Sequence, residues 1–303
     1  MISINADNLT KSFGKTLAVD QLSFQVEQGE LFGFIGPDGA GKTTLFRMLT
    51  TLLSPDRGNG SVEGLDITKD YRELRNILGY MPGKFSLYQD LTVEENLTFF
   101  ATIFGTTIKE NYNLVKDIYS QIEPFKDRRA GKLSGGMKQK LALCCALIHK
   151  PKVLFLDEPT TGVDPVSRKE FWEILKRLQD MGITIIVSTP YMDEAGLCDR
   201  VALIQGGKIL KIDKPSELVS SIGKRILAIS GEKNYQLLRK LEGFQHTENV
   251  YPFGESLHYI DVRREFDAHE IQNYLKGELT GDIQITEVSP TIEDCFISLM
   301  LEK

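Results

Sequence analysis

The feature that most constrains this chain is a glycine-rich segment near its amino terminus, GPDGAGKT at residues 36–43. A Gly-x4-Gly-Lys-Thr loop turns its backbone N–H groups inward and makes a nest for phosphate oxygens, with Lys42 placed to reach the terminal phosphates and Thr43 to ligate Mg²⁺. The apolar run at residues 31–36 predicts a buried strand, and the spacing in residues 44–53 predicts a helix. An ordinary surface turn, the alternative interpretation, does not require a buried strand before it and a helix after it. The segment therefore predicts a nucleoside triphosphate site at a helix N-terminus.

The composition is that of a globular protein with room for one large domain and a smaller one. The chain has 303 residues, 41% hydrophobic and 26% charged, and a formal net charge of −6. No strong basic field attracts nucleic acid or an anionic membrane, although a local basic patch remains open. Apolar runs such as residues 153–156 and 183–187 fall far short of the ~20 residues that cross a bilayer. Because the amino terminus lacks a secretory pattern, we expect a cytosolic location.

Periodicity divides the larger part of the chain into three stretches. Alternating apolar residues up to about residue 30 predict strands. A capping box formed by Thr92 and Glu95 opens a region of helical periodicity, which predicts a helical subdomain at about residues 85–148. From residue 151 to about 212, apolar runs alternate with a helical segment, as in βαβ units with a parallel sheet. The expected fold class is α/β, with a nucleotide-binding domain at 1–221.

Residues 222–303 read as a small α+β domain, with a ferredoxin-like arrangement as one option. The histidines of this region, His246, His258 and His269, are not spaced as a ligand set and are expected to be solvated or packed. Four cysteines also lack zinc-like spacing. Adjacent Cys144 and Cys145 fit buried apolar positions better than ligands.

Two further motifs accompany the glycine-rich loop. VLFLDEP, residues 153–159, is an apolar strand that ends in two carboxylates: Asp157 can hold Mg²⁺, and Glu158 can orient or deprotonate a water molecule. Paired acids at a strand end can instead cap a helix. LSGGMKQK, residues 133–140, is a second possible phosphate-binding helix start, although it is a weak signal alone.

Four motifs stand in this order along the chain: GPDGAGKTT, LSGGMKQK, VLFLDEP and TGVD. Through them, residues 2–215 resemble the nucleotide-binding subunits of ATP-binding cassette (ABC) transporters. The resemblance implies a P-loop NTPase cassette with a mixed sheet core and an inserted helical subdomain. It also implies that two cassettes, identical or different, pair head to tail with ATP between the phosphate loop of one and the LSGGM signature of the other. Asp164 matches the loop that links the two sites. The C-terminal segment resembles that of drug and lipid exporters, whose integral membrane permease is a separate chain at the cytoplasmic face of the membrane.

The resemblance implies ATP and Mg²⁺ as ligands and Glu158 as the catalytic carboxylate that acts on the water, with Thr43 and Asp157 at the metal. It assigns nucleotide contacts to Phe13, Gly36, Pro37, Asp38, Gly39, Ala40, Gly41, Lys42, Thr43, Thr44, Ser134, Gly135 and Gly136. Phe13 matches the aromatic residue that stacks on adenine, although a core phenylalanine is the alternative.

Two positions depart from the family pattern. Gly83 follows Tyr-Met-Pro where the family has glutamine, and Gln89 stands too far along to replace it. Pro190 stands where a histidine usually contacts the γ-phosphate, and proline offers no backbone N–H either. These losses predict that the chain binds ATP and hydrolyses it slowly, because the missing groups act on the γ-phosphate and the water. In the alternatives, neighbouring groups stand in and the chain is an ordinary ATPase subunit, or it is a regulatory partner without turnover. A soluble cassette that acts on ribosomes or DNA is disfavoured, because such chains carry two cassettes or long coiled-coil insertions.

Overall fold

The computed structural model describes residues 1–276 and 283–301, and the chain divides into two compact units, Met1–Pro215 and Ser216–Lys303. The boundary lies slightly before the predicted one, after residue 221. The regular elements of the first unit, in chain order, are β1 (Ile2–Phe13), β2 (Thr16–Glu27), β3 (Leu31–Ile35), α1 (Lys42–Leu49), β4 (Arg57–Val62), β5 (Leu65–Asp66), α2 (Tyr71–Ile77), β6 (Leu78–Met81), α3 (Val93–Ile103), α4 (Ile108–Tyr119), α5 (Gly135–Leu147), β7 (Val153–Asp157), α6 (Pro165–Asp180), β8 (Thr184–Thr189), β9 (Arg200–Gln205) and β10 (Lys208–Asp213).

A six-stranded sheet in the order β10-β9-β3-β8-β7-β6 forms the centre of this unit. Its strands from β9 to β6 are parallel, and β10 joins the edge antiparallel to β9. Every residue of β3, β7 and β8 is buried, which explains why these strands read as unbroken apolar runs in the sequence. The predicted mixed α/β core is confirmed. The carboxyl ends of the parallel strands meet at one edge, the usual place for a ligand in such folds.

A second sheet, in the order β2-β1-β4-β5, packs against the first through aromatic side chains. Phe24 of β2 meets Phe34 of β3 edge to face, with ring centroids 5.0 Å apart. Phe46 of α1 lies 5.9 Å from Phe34 and 5.7 Å from Phe155 of β7, also edge to face. Such contacts fix relative orientation as well as burying area, so α1 is anchored on the two strands beside it.

Two helical predictions have different outcomes. The capping box is confirmed: Thr92 Oγ1 accepts from the Glu95 amide at 3.2 Å, and a Glu95 carboxylate oxygen accepts from the Thr92 amide at 2.8 Å. The helix predicted over residues 44–53 is wrong at its end, because α1 stops at Leu49. Thr51 lies at a φ of 63°, in the left-handed region, and a helix cannot continue through that conformation.

The second unit contains α7 (Pro215–Ser220, which begins at the last residue of the first unit), β11 (Ile226–Ser230), α8 (Asn234–Glu242), β12 (Thr247–Phe253), β13 (Ser256–Asp261), α9 (Ala268–Lys276), β14 (Gln284–Val288) and α10 (Ile292–Leu301). Its antiparallel sheet has the order β12-β13-β11-β14, so the β-α-β-β-α-β run is the ferredoxin-like arrangement. Sequence reasoning missed β12, whose polar start and Pro252 hide the strand pattern; an edge strand tolerates that proline. His258 is packed, with Nδ1 2.5 Å from Asp294 Oδ1. Among residues 1–276 and 283–301, no helix combines the length and apolar character that crossing a bilayer requires.

Candidate nucleotide site

The glycine-rich loop joins the carboxyl end of β3 to α1, and two of its glycines are required by close backbone contacts. A Cβ atom on Gly36 would lie 2.1 Å from the carbonyl oxygen of Ile204 on β9. Gly41 has a φ of 104°, and a Cβ there would lie 2.3 Å from the carbonyl oxygen of Ala18 on β2. A side chain at either position would displace backbone. The loop is therefore clamped between two strands, with its curvature set by these contacts.

Lys42 is the first residue of α1, and only 3% of its surface is exposed. Its Nζ donates to the carbonyl oxygens of Gly36 at 2.7 Å and Pro37 at 3.0 Å, and it lies 3.3 Å from Glu158 Oε1. A buried ammonium needs such partners. The loop therefore holds a positive charge at the helix N-terminus, where phosphate oxygens are best stabilised.

Backbone hydrogen bonds hold the middle of the loop. The Ala40 amide donates to the Pro37 carbonyl at 3.2 Å, and the Ala40 carbonyl accepts from the Gly207 amide at 3.0 Å. Asp38 and Gly39 are exposed at the loop tip. Thr43 and Thr44 lie in the first turn of α1 and are both half-buried.

Asp157 and Glu158 lie at the carboxyl end of β7. Asp157 is 2% exposed, and its Oδ1 accepts from Ser188 Oγ at 2.6 Å. The Glu158 amide donates to both Ser188 Oγ and the Ser188 carbonyl at 3.0 Å, and Glu158 has a left-handed φ of 50°. Such strain in a non-glycine residue persists where the surroundings impose it, often at functional sites. The helix-cap alternative is wrong, because α6 begins later and has Asp164 as its N-cap.

Of the two positions that depart from the family pattern, Gly83 borders these acids and Pro190 follows a residue that is bonded to the glycine-rich loop. A Cβ atom on Gly83 would lie 3.0 Å from the Asp157 carbonyl oxygen and 3.7 Å from Glu158 Cβ. Pro190 follows Thr189, whose carbonyl oxygen accepts from the amide of Gly36 at 3.2 Å. Neither Gly83 nor Pro190 carries a side-chain hydrogen-bonding group.

The signature forms a separate surface. Ser134 is the N-cap of α5, and its Oγ accepts from the Met137 amide at 3.4 Å. A Cβ atom on Gly135 would lie 3.7 Å from the Gly162 carbonyl oxygen, and one on Gly136 3.1 Å from Ser167 Oγ. LSGGM therefore packs on the TGVD loop and the start of α6. Across residues 1–276 and 283–301, no hydrogen bond or ion pair joins Ser134, Gly135 or Gly136 to the phosphate loop.

Asp164 caps α6 by accepting from the Ser167 amide at 3.0 Å, and this bond holds the pKa of the Asp164 carboxyl below its usual range. Asp164 is exposed, so its carboxylate is available to a neighbouring molecule.

Phe13 ends β1 and is 51% exposed, so the core alternative is wrong. Lys11 Nζ lies 5.9 Å from the centroid of its ring. Phe13 pairs with Thr16 on β2, the strand whose Ala18 carbonyl oxygen meets Gly41 of the loop. An exposed aromatic ring is suited to stacking on a base, because stacking needs an open face.

Replacing Phe13 by alanine is expected to raise the Kd for ATP about 5- to 150-fold, since base stacking contributes about 1–3 kcal/mol. The melting temperature should stay unchanged because the side chain is exposed. Fluorescence titration with ATP and with inorganic tripolyphosphate checks the prediction, and Phe13→Tyr is the matched control. Equal weakening for both ligands would rule out base stacking.

Sequence reasoning missed Ser188, Thr189 and Glu194, which organise the acids and the segment around Pro190. The only available signal was a polar run directly after the apolar run at residues 183–187, at the same sheet edge as Asp157.

Comparisons with known proteins identify the family of the chain. The sequence model of the ABC transporter family matches residues 19–161. The probable multidrug ABC transporter ATP-binding protein YbhF of Escherichia coli (strain K12) is 40% identical over 288 residues, which are 93% of this chain and 49% of that protein. The chain thus spans about half the length of that relative. The Nod factor export ATP-binding protein I of Rhizobium sp. (strain N33) is 36% identical over 302 residues, 98% of this chain and 97% of that protein.

Among solved structures, cbiO1 from Clostridium perfringens, part of the ABC transporter complex cbiONQ, matches with a TM-score of 0.65 and 28% identity. The match covers 73% of this chain and 92% of that one. The phosphate loop, the paired acids, the signature and these similarities agree, and the chain belongs to the family of ABC transporter ATP-binding proteins.

Proposed function

We propose that the chain is the ATP-binding subunit of an ABC exporter, at the cytoplasmic face of a membrane. The observation that carries this proposal is the meeting of Lys42, Asp157 and Glu158 at one sheet edge, while no hydrogen bond or ion pair among residues 1–276 and 283–301 joins the signature to the phosphate loop. A phosphate site without its signature half is incomplete, so a second cassette must supply Ser134, Gly135 and Gly136 in trans. Export is favoured because one relative is named for Nod factor export and another as a probable multidrug transporter protein.

The residues present fit a magnesium nucleotide. Thr43 and Asp157 offer two oxygen atoms beside the loop as ligands for the ion. The described residues contain no larger cluster of three or more His, Cys, Asp or Glu side chains that could hold a metal by itself. Mg²⁺ in phosphoryl-transfer sites takes one or two protein oxygens and completes its shell with phosphates and water. Bound there, the ion would neutralise charge on the β- and γ-phosphates.

Binding and hydrolysis draw on different residues. Lys42, Thr43, the loop amides and Asp157 bind Mg-ATP, and Glu158 is placed to act on the water. Gly83 and Pro190 lack the side chains that would act on the γ-phosphate and water, so turnover is slow while binding is retained. A non-hydrolysing regulatory partner is the second candidate, favoured by the same two positions, and the residual rate separates the two.

A membrane partner has a suitable surface in an apolar groove of about 400 Å³ between β6, α3 and α5. Its apolar lining includes Leu78, Met81, Pro82, Phe100, Phe104 and Ala146. Tyr80 also lines it, and burial together with the Asp157 carboxylate raises the pKa of Tyr80 to about 12, so the phenol stays neutral beside the acid. We propose that a short helix of the integral membrane permease binds here. Because Pro82 directly precedes Gly83, a helix in the groove would contact the segment next to the acids.

Co-purification from detergent-solubilised membranes tests this partner. An integral membrane protein should accompany the tagged chain, and Ile103→Glu at the groove rim should abolish its recovery while leaving ATP binding intact. Ile103 is 58% exposed. Met181→Glu, at an equally exposed apolar residue beyond the end of α6, is the matched control. Recovery of nucleic acid instead of a membrane protein would contradict the proposal.

A further inference from the structure

Glu194 is an acid that the proposed chemistry does not use, and it is 2% exposed. It lies in a short 3-10 turn, Met192–Leu197, after the segment that contains Pro190. A buried carboxylate is costly unless several donors satisfy it, so its partners indicate what it holds in place.

Three donors reach this carboxylate from three elements. Thr160 Oγ1 donates to Oε1 at 2.8 Å, and Thr189 Oγ1 donates to Oε2 at 2.5 Å. Arg168 of α6 donates from Nε to Oε1 at 3.1 Å, and its Nη2 lies 3.0 Å from the same oxygen. Both carboxylate oxygens are therefore engaged.

Each donor belongs to a segment of the nucleotide site. Thr160 is two residues beyond Glu158, and α6, which carries Arg168, begins at the TGVD loop. Thr189 ends β8: its carbonyl accepts from Gly36, and its Oγ1 accepts from the amide of Tyr191 at 3.0 Å. The backbone on both sides of residue 190 is thus fixed through Thr189.

The Tyr191 side chain adds a further contact on the same segment. The guanidinium carbon of Arg168 lies 4.2 Å from the centroid of the Tyr191 ring. Arg168 therefore holds both Glu194 and the residue that follows Pro190, so α6 and this segment are linked by an ion pair and a cation–π contact.

We propose that Glu194 is a positioning residue for ATP hydrolysis: its carboxylate holds residues 189–191, the Glu158 loop and α6 in the arrangement that turnover requires. This inference rests on the proposed ATP hydrolysis. Misplacement of reacting groups by about 1 Å can lower a rate about 100-fold, whereas nucleotide binding depends on the loop itself. Glu194 should therefore control kcat and leave the Kd for ATP unchanged.

The test measures single-turnover ATP hydrolysis and ATP affinity for the full chain carrying Glu194→Gln. We expect the rate to fall about 10- to 100-fold with an unchanged Kd, because an amide cannot accept from Thr189 through its NH₂ group. Asp193→Asn is the matched control, since exposed Asp193 contacts the same Arg168 at 3.3 Å. Should Glu194→Gln fail to fold, Thr189→Val, which keeps side-chain shape, takes its place.

A double-mutant cycle with Pro190→His separates positioning from general stability. The histidine should raise the rate in the otherwise natural chain and lose most of that gain beside Glu194→Gln, because its backbone is no longer held. Equal gains in both backgrounds, or an unchanged rate in Glu194→Gln and Thr189→Val, would overturn the inference. If Pro190→His has no effect in either background while Glu194→Gln slows turnover, the slow-site proposal fails and the role of Glu194 stands.

Discussion

Replacing Lys42 by alanine should weaken ATP binding about 10- to 100-fold. The ammonium is buried and pre-positioned by two loop carbonyls, so its bonds to phosphate oxygens form with little loss of side-chain entropy. Hydrogen bonds that involve a charged group contribute about 1.5–3 kcal/mol each, and about 1.4 kcal/mol corresponds to a tenfold change in Kd. Isothermal titration of the purified chain with Mg-ATP measures the effect.

Lys69→Ala is the control for Lys42→Ala, because the Lys69 side chain is 82% exposed and, among the residues that the structure describes, its ion pair is with Asp66 at 3.8 Å alone. Its Kd should match that of the natural chain. Thermal unfolding of both variants is measured as well, to establish that each is folded, because Lys42→Ala also removes the counterion of Glu158. Unaltered ATP affinity in folded Lys42→Ala would show that the phosphates bind elsewhere.

Glu158→Gln should lower the hydrolysis rate by about 10² to 10⁴, the usual contribution of a positioned general base. ATP affinity should stay the same or increase, because the carboxylate that competes with phosphate for Lys42 loses its charge. Single-turnover hydrolysis and equilibrium binding on the same sample separate the two effects. Glu173→Gln, at an exposed acid on α6, should change neither quantity. An unchanged hydrolysis rate in Glu158→Gln would show that another residue is the catalytic base.

The glycine-rich loop was predictable from sequence because part of its structure is local. Lys42 bonds to the carbonyl oxygens of Gly36 and Pro37 within the loop, and Gly41 takes a positive φ, so the spacing of these residues indicates the loop. The end of the buried strand β7 was also predictable from its apolar run, so Asp157 and Glu158 were expected next to the loop.

Contacts between distant segments were not predictable. Ser188 bonds to Asp157 from 31 residues away, and Glu194 bonds to Thr160 from 34 residues away. No local pattern encodes such pairs, because parallel strands place their ends together only after the sheet forms. Edge strand β12 was missed for a related reason. Its sequence lacks the alternation typical of a strand, and pairing with β13 stabilises the extended conformation.

Of the two departures from the family pattern, Pro190 offers the sharper test. A glutamine at position 83 would place Cβ 3.0 Å from the Asp157 carbonyl, so its backbone must shift slightly. Proline and histidine both adopt the φ that proline imposes, so Pro190→His adds a donor at little structural cost.

The decisive measurement is therefore the ATP hydrolysis rate of the purified chain, compared with Pro190→His and with Glu158→Gln. We expect tight Mg-ATP binding in all three, slow turnover in the natural chain, and a rate about 10- to 100-fold higher in Pro190→His, since one added transition-state donor restores much of what its absence costs. Rapid turnover in the natural chain that Glu158→Gln abolishes and Pro190→His leaves unchanged would contradict the proposal that this site binds ATP well and cleaves it slowly.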